Sequence, residues 1–366
     1  MIMNMINAYR LFKTKFELGV GKMKRLRGKL VVVVSAFVMA IGITGCSSAG
    51  TSGNAGNESA AKIGDQIVLK LSEPQVDEYP DSIAEKEFAK RVEELSDGRI
   101  KVEVYTGGQL GDETTTIEQT QVGIIDIGRA NAGPLTQFAD SLGVFSFPFL
   151  FDSREHMWNA LDSSLKEELF TDLEKSDLVG LAFYDAGARS FYSTDPIESV
   201  NDVEGKKIRV MQNDILIDAF KKLGTSPTPL AASEVYSALQ MGVIEGGENN
   251  VSTYVADGHF EVAKNFTLSE HLRIPGVLFM SKQSWDKLSE EDQGIIKEAA
   301  EESEETQLKE YDEYSQTAMD RVMESGNNVV ELSDEERAAF KEKVEPLYEE
   351  YDSTYGDLFQ AIEDAR

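Results

Sequence analysis

Along the chain, apolar positions recur now with period two and now at helical spacing, and that switching predicts a mixed α/β protein. Residues 67–71 read as a strand that Ser72-Glu73-Pro74 ends. Residues 81–95 place Ile83, Ala84, Phe88, Ala89, Val92 and Leu95 on one helix face, and Asp97-Gly98 stops that helix. Residues 101–105 form a second strand, followed by Gly107-Gly108-Gln109-Leu110-Gly111, a glycine-rich loop with no Walker lysine behind it and so only a weak phosphate signal. Another short strand leads into Asp126-Ile-Gly-Arg129-Ala-Asn131. Residues 145–151 read as an aromatic strand and turn of the core, 154–178 as an amphipathic helical region, and 179–184 as a strand. After residue 250 the pattern predicts a helix to about 263, a strand over 277–281, a long acid-rich helix from 289 to about 324 with Ile295, Ile296 and Ala299 as its apolar stripe, and a helical segment over 334–366.

Between these lies the stretch from 187 to 250, in which Arg189 and Arg209 stand in strand-like segments among apolar and aromatic neighbours. Alternation gives Ile208 and Val210 one face of a short strand and Arg209 and Met211 the other. A guanidinium is thereby placed on the non-core face or at the strand mouth. Ligands bind at the carboxyl ends of strands in open α/β sheets, and the planar fork of arginine matches a carboxylate. Pro227-Thr228-Pro229 predicts a turn, Ser233 an N-cap with Glu234 in the first turn, Gly242 a stop, Val243-Ile244 a strand, and Gly246-Gly247 a turn presenting Glu248-Asn249-Asn250. On the residues alone, the two arginines either await an anion or salt-bridge to an acidic surface.

Composition narrows the field. The 366 residues, 41% hydrophobic and 28% charged, suit a globular protein of two domains. A formal charge of −29 argues against nucleic acid and against adsorption to anionic lipid, and an anionic ligand would need a locally positive pocket. One cysteine and three histidines leave thiol, zinc and Ser-His chemistry few parts. No metal or cofactor is expected. His156 and His271 lack partners at ligand spacing and read as structural, and Trp158 and Trp285 read as packing.

The N-terminal region is different in kind. Lys24, Arg25, Arg27 and Lys29 precede an apolar run, residues 30–43, that is too short for a comfortable membrane span and reads as a signal peptide. Residues 1–22 are a preface, with Met23 the expected start. Removing 1–45 takes eight Lys/Arg from 36 and one acid from 65, leaving 28 against 64. Residues 47–61, nearly all Ser, Gly, Ala, Thr and Asn, are a flexible tether.

Taken together, Gly187-Ala-Arg189, Gly205-Lys-Lys-Ile-Arg209-Val, Pro227-Thr-Pro-Leu230, Ser233-Glu-Val-Tyr-Ser-Ala-Leu-Gln-Met-Gly242 and Gly246-Gly-Glu-Asn249 resemble the signature of the TRAP-transporter solute-binding proteins, and the likeness runs from about Val68 to about Lys297. Ile43-Thr-Gly-Cys46 resembles a bacterial lipobox, which implies lipidation at Cys46 and an extracytoplasmic, membrane-anchored protein. The resemblance implies an α/β, two-lobed periplasmic-binding-protein-like fold with mixed sheets flanked by helices and a long domain-spanning helix. Lobe one would take 66–186 plus 275–314, and lobe two 187–274 plus 315–366, with 46–65 as tether. It further implies that Arg209 pairs with a ligand carboxylate, that Arg189 supports it, and that Asn249 contacts ligand. Glu113 would face ligand hydroxyls, Asn131 lies in a segment with ligand contacts, and Glu73 and Gln212 would bond further hydroxyls. Arg129 is either a third cationic contact or an ordinary surface arginine.

Residues 184–192, Leu268-Ser-Glu-His271 and the Asn249-Asn250 ending look like the branch of that family that binds hexuronates. Ala232 departs from the pattern, being small where many relatives carry an aromatic that packs on ligand, which implies a roomier pocket. The expected partner is a membrane permease that receives a carboxylated sugar such as glucuronate or galacturonate. Other readings are a ligand-presenting sensor subunit, a binder of another small organic acid, and a sugar-acid enzyme using Glu73 and Glu113 as a carboxylate pair.

Overall fold

The computed structural model describes residues 66–366. The expectations for the signal peptide, Cys46 and the tether fall outside the described residues. Eleven strands form two mixed sheets among the described residues. The first contains β1 (Ile67–Ser72), β2 (Ile100–Tyr105), β3 (Ile127–Asn131), β4 (Leu178–Tyr184) and β10 (Gly276–Ser281), in the order β2-β1-β3-β10-β4. The second contains β5 (Arg189–Ser193), β6 (Lys207–Val210), β7 (Ser226–Pro229), β8 (Gly246–Asn249), β9 (Asn265–Leu272) and β11 (Asn328–Glu331), in the order β11-β9-β5-β8-β6-β7. In the first sheet β2, β1 and β3 are parallel, and β10 runs antiparallel to both β3 and β4. The chain passes from one sheet to the other after β4, returns after β9, and passes over again through the helix Glu290–Glu324.

That 35-residue helix fits its predicted length and has a physical reason to span both sheets. Its first half buries Ile295, Ile296, Ala299 and Ala300 against Leu71, Phe88 and Leu278 of the first sheet's core, whereas Val322, near its end, joins Tyr192, Tyr254 and Phe266 of the second. In between, Gln307 accepts a bond from the Asp185 backbone N–H at 2.9 Å and donates to Asp81 and to the Asp185 carbonyl at 2.7 and 2.8 Å. Next to it, Gly187 takes φ +62°, and a Cβ there would lie 2.4 Å from the Tyr311 hydroxyl, so the first crossing accepts only glycine without rearrangement. The largest apolar cluster runs from Phe145 and Phe147 through Phe183, Phe191 and Phe220 to Phe340, Leu347 and Tyr355. The helix Asp334–Glu363 packs on it through Tyr348, Tyr355 and Phe359 around the ring of Phe147.

Five local expectations are corrected. Residues 226–229 are not a turn but β7, an edge strand parallel to β6, a place where prolines are tolerated because no neighbour needs their missing N–H. Residues 243–244 are not a strand. The strand is Gly246–Asn249, whose two glycines read as a turn, yet a Cβ at Gly246 would sit 2.5 Å from the Tyr192 carbonyl and one at Gly247 2.4 Å from the Tyr192 hydroxyl. Ser233 is not the N-cap: the helix is Ala232–Gln240, and Glu234 reaches back to accept from the Ala231 N–H at 3.1 Å. The aromatic stretch 145–151 is core, as expected of its composition, but its first two residues end a 3₁₀ segment, Asp140–Ser146, and the rest forms no strand.

Candidate functional site

A cavity of about 490 Å³ opens where the carboxyl end of β3, the crossing after β4, and the ends of β6 and β8 converge. Its lining includes Arg129, Arg189 and Arg209, and the three differ in what already holds them.

Arg209 is 4% exposed and enters from β6. Its Nε and Nη2 both donate to the Leu230 carbonyl, at 3.0 and 2.8 Å, and among the described residues no carboxylate lies within 4 Å of it. Burial holds its pKa below the usual arginine value, although Tyr192 and Glu248 act the other way. An arginine so placed still carries its charge. A dry cation without a counter-ion is costly, and an incoming carboxylate is the group that would relieve it.

Arg189 is a different case. Nε donates to Glu248 Oε2 at 2.5 Å, and Nη2 donates both to Glu248 Oε1 and to the Glu248 carbonyl at 2.8 Å. Its Nη1 donates to Asn249 Oδ1 at 2.7 Å. Glu248 is fully buried, and Arg189's own burial is outweighed by that carboxylate, which raises its pKa. With Asn249 Oδ1 also accepting from the Asn250 N–H at 2.9 Å, the amide N–H₂ of Asn249 is the end without a partner among the described residues. Asn250 caps the helix Val251–Ala256 by accepting from the Thr253 N–H at 2.7 Å.

Arg129, held open between a ligand contact and a surface arginine, is no surface residue, being 2% exposed. It pairs with Asp81, and Glu73 and Glu113 each lie 3.9 Å from it, in ion-pair range but too far for a hydrogen bond. Burial opposes its charge, but Asp81, Glu73 and Glu113 together raise its pKa. Glu113 Oε1 accepts from both the backbone and the side-chain nitrogen of Asn131, at 2.7 and 2.8 Å, so these two residues enter the cavity as a unit. Gln212 is exposed at the rim, where its Oε1 accepts from Thr114 at 3.3 Å.

Glu73 is the expectation that the structure corrects. Fully buried, it is absent from the cavity lining, and its Oε1 accepts from the Gln75 N–H at 2.5 Å. It belongs to a closed cluster with Asp81, Glu85 and Arg129. A pair formed by Glu73 and Glu113 therefore does not flank the cavity.

That cluster has a consequence for stability. Burial pushes Glu73 up to about 7, with Arg129 pulling it back, and burial likewise raises Asp81 and, further, Glu85. Groups raised in this way keep protons in the folded chain that the unfolded chain has already released, so stability falls as pH climbs from about 4.5 through about 7. His259 and His271, pushed down to about 3 chiefly by burial, act oppositely: stability is lost as pH falls from 6.5 through about 3. The melting temperature is therefore expected to peak in mild acid and to decline as pH rises through about 7, and Glu85→Gln is expected to lessen that decline. Melts at a series of pH values check this, and a profile equally flat for both proteins would overturn it.

Sequence reasoning missed several lining residues: Tyr79, Tyr236, Asp257 and His259. Tyr79 bonds Thr253 at 3.0 Å across the cavity, from the start of the helix Pro80–Leu95 to the helix Val251–Ala256. Asp257 arrives on the turn after one short helix and His259 at the start of the next, where no periodicity marks them. Among the described residues, no group of three or more His, Cys, Asp or Glu is placed to hold a metal, and no helix is long and apolar enough to cross a membrane.

With this geometry established, comparison with known proteins is specific. Residues 72–354 match the family model for bacterial extracellular solute-binding proteins, family 7. A solute-binding protein of Chromohalobacter salexigens is 37% identical over 287 residues, 78% of this chain and 85% of its own. A TRAP periplasmic solute-binding protein from a Sulfitobacter species, solved with β-D-galacturonate bound, is 37% identical and superposes with a TM-score of 0.77, covering 81% of this chain and 98% of that one. One from Chromohalobacter salexigens, solved with D-glucuronate, is 36% identical with a TM-score of 0.78, over 81% of this chain and 98% of that one. The two mixed sheets flanked by helices are thus the two-lobed fold of these binding proteins, and the chain belongs to family 7 of the bacterial extracellular solute-binding proteins, as a solute-binding protein of TRAP type.

Proposed function

We propose that this protein captures a hexuronate, D-glucuronate or D-galacturonate, outside the cytoplasm and passes it chemically unchanged to a TRAP membrane permease. The observation that carries this reading is Arg209: a buried guanidinium with no carboxylate partner among the described residues, lining a cavity of about 490 Å³ that suits a monosaccharide. The ligand carboxylate would take the free side of Arg209, while the Asn249 amide and the Glu113–Asn131 unit would meet hydroxyls, since a buried polyol needs its donors and acceptors satisfied. Residues 66–186 with 275–314 would move as one lobe and the rest as the other, closing over the sugar. Cys46, in its lipobox-like setting, would anchor the processed chain to the membrane through the tether.

Calorimetry tests the reading. D-Glucuronate or D-galacturonate is expected to bind far more tightly than the neutral hexose of the same configuration, and the ligand should be recovered intact. Equal affinity for glucose and glucuronate, or steady conversion of the ligand, would refute it.

A further inference from the structure

Asp257 and Gly258 form the turn between the helices Val251–Ala256 and His259–Val262, and His259 opens the second helix. Gly258 adopts φ +71°, a conformation that side chains disfavour, and both flanking side chains line the cavity. His259 is 2% exposed and lies nearly parallel to the Tyr192 ring at 5.2 Å, yet neither of its ring nitrogens has a hydrogen-bond partner among the described residues. A buried polar group is ordinarily satisfied, and an unmet pair of ring nitrogens on a cavity wall points to a ligand. The Asp257 side chain makes no hydrogen bond and no ion pair within 4 Å among the described residues, and it too faces the cavity.

The charges beside these residues define what they accept. Burial and the neighbouring Arg209 keep His259 neutral, so its ring offers one donor and one acceptor, the pattern complementary to a hydroxyl. Burial raises Asp257 to about 6 against the pull of the neighbouring Arg209; once ionised it is a pure acceptor, and it shares the cavity with Glu113. Arg189 is already matched by Glu248, and Arg129 by Asp81. The wall therefore has free cationic capacity for one carboxylate, at Arg209, while Asp257 and Glu113 add acids to the same cavity.

We propose that Asp257 and His259 are specificity-determining contacts: they read hydroxyls of the bound acid and reject a second carboxylate, making the site selective for hydroxylated monoacids over dicarboxylates. This rests on the uronate reading above, and the experiment separates the two.

Binding of D-glucuronate, of its dicarboxylate counterpart D-glucarate and of succinate is measured by calorimetry for the wild type and for His259→Phe, His259→Gln and Asp257→Asn. The wild type is expected to favour glucuronate over glucarate by at least about a hundredfold. His259→Phe keeps the ring packing on Tyr192 and should weaken glucuronate at least about tenfold. His259→Gln restores a donor and an acceptor and should recover most of that loss, which a merely structural histidine would not allow. Asp257→Asn removes the charge and should narrow the glucuronate-to-glucarate ratio at least about tenfold. Wild type that binds glucarate or succinate as well as glucuronate, or variants that leave affinity and ratio unchanged while glucuronate still binds, would overturn the proposal. If the wild type binds no uronate at all, the uronate reading fails first and takes this inference with it.

Discussion

Replacing Arg209 by lysine is expected to weaken uronate binding at least about thirtyfold while leaving the ligand-free protein close to its original melting temperature. Lysine keeps the charge but exchanges a planar fork for a flexible point charge with different reach. In the native site two of the three guanidinium nitrogens are committed to the Leu230 carbonyl, which fixes the plane of the group and the direction in which Nη1 is offered. A lysine ammonium can bond Leu230 or follow the ligand, and it does either without that fixed plane. Damage to a charged pair in a dry site costs on the order of 2–4 kcal/mol. Stability should barely respond, because among the described residues no acid is left stranded when the guanidinium goes. Calorimetry beside thermal melts checks both halves. Normal binding, or a markedly lower melting temperature, would make Arg209 a structural residue and move the site elsewhere.

Arg189→Met should do the reverse and unfold the protein more easily, by about 3–5 kcal/mol, the range for stripping one partner from a buried ion pair. Glu248 would be left fully buried, without the two side-chain bonds that Arg189 supplies. His271 cannot take over: its Nε2 lies 4.0 Å from Glu248 Oε2, and burial together with Arg189 and Arg337 holds the ring neutral. The lost cation would ease that last constraint only in part. Changing both partners, Arg189→Met with Glu248→Leu, should recover much of the stability, since no unpaired charge then remains. Urea unfolding of the single and double variants measures the coupling. Binding should still fall in the double variant, because Asn249 Oδ1 loses the bond that orients its amide. If Arg189→Met melted like the wild type and only binding suffered, Arg189 would be a direct ligand contact and not the frame for one.

The two arginines also mark what could be read in the sequence. A charged residue alternating with Ile208 and Val210 predicts a guanidinium off the core face of a short strand, and the structure has Arg209 on β6, buried on the cavity wall. The strands β1, β2, β4, β6 and β10, the long helix and its apolar stripe follow from periodicity in the same way, whereas β7, β8, β9 and β11 do not. Failures occur where a distant neighbour decides. Gly246 and Gly247 look like a turn until Tyr192 occupies the space that their side chains would need. Glu73 looks like a cleft-edge acid until Arg129, Asp81 and Glu85 gather around it, three residues that no local pattern brings together. Asp257 and His259 flank one left-handed glycine, Gly258, that breaks a stretch reading as a continuous helix to about 263.

The burial of Arg209 inside so acidic a chain also separates the kinetics of entry from those of exit. An anion approaching a surface with a formal charge of −29 is repelled over a Debye length, about 8 Å at physiological ionic strength. Added salt shortens that reach and speeds association. A carboxylate seated on Arg209, as proposed, would meet a buried guanidinium that mobile ions screen much less, so the same salt should hardly alter the rate of escape. Anion capture by this protein should therefore tighten modestly as ionic strength rises, the opposite of what an exposed basic patch would give, and the binding protein would lose nothing by working in brine.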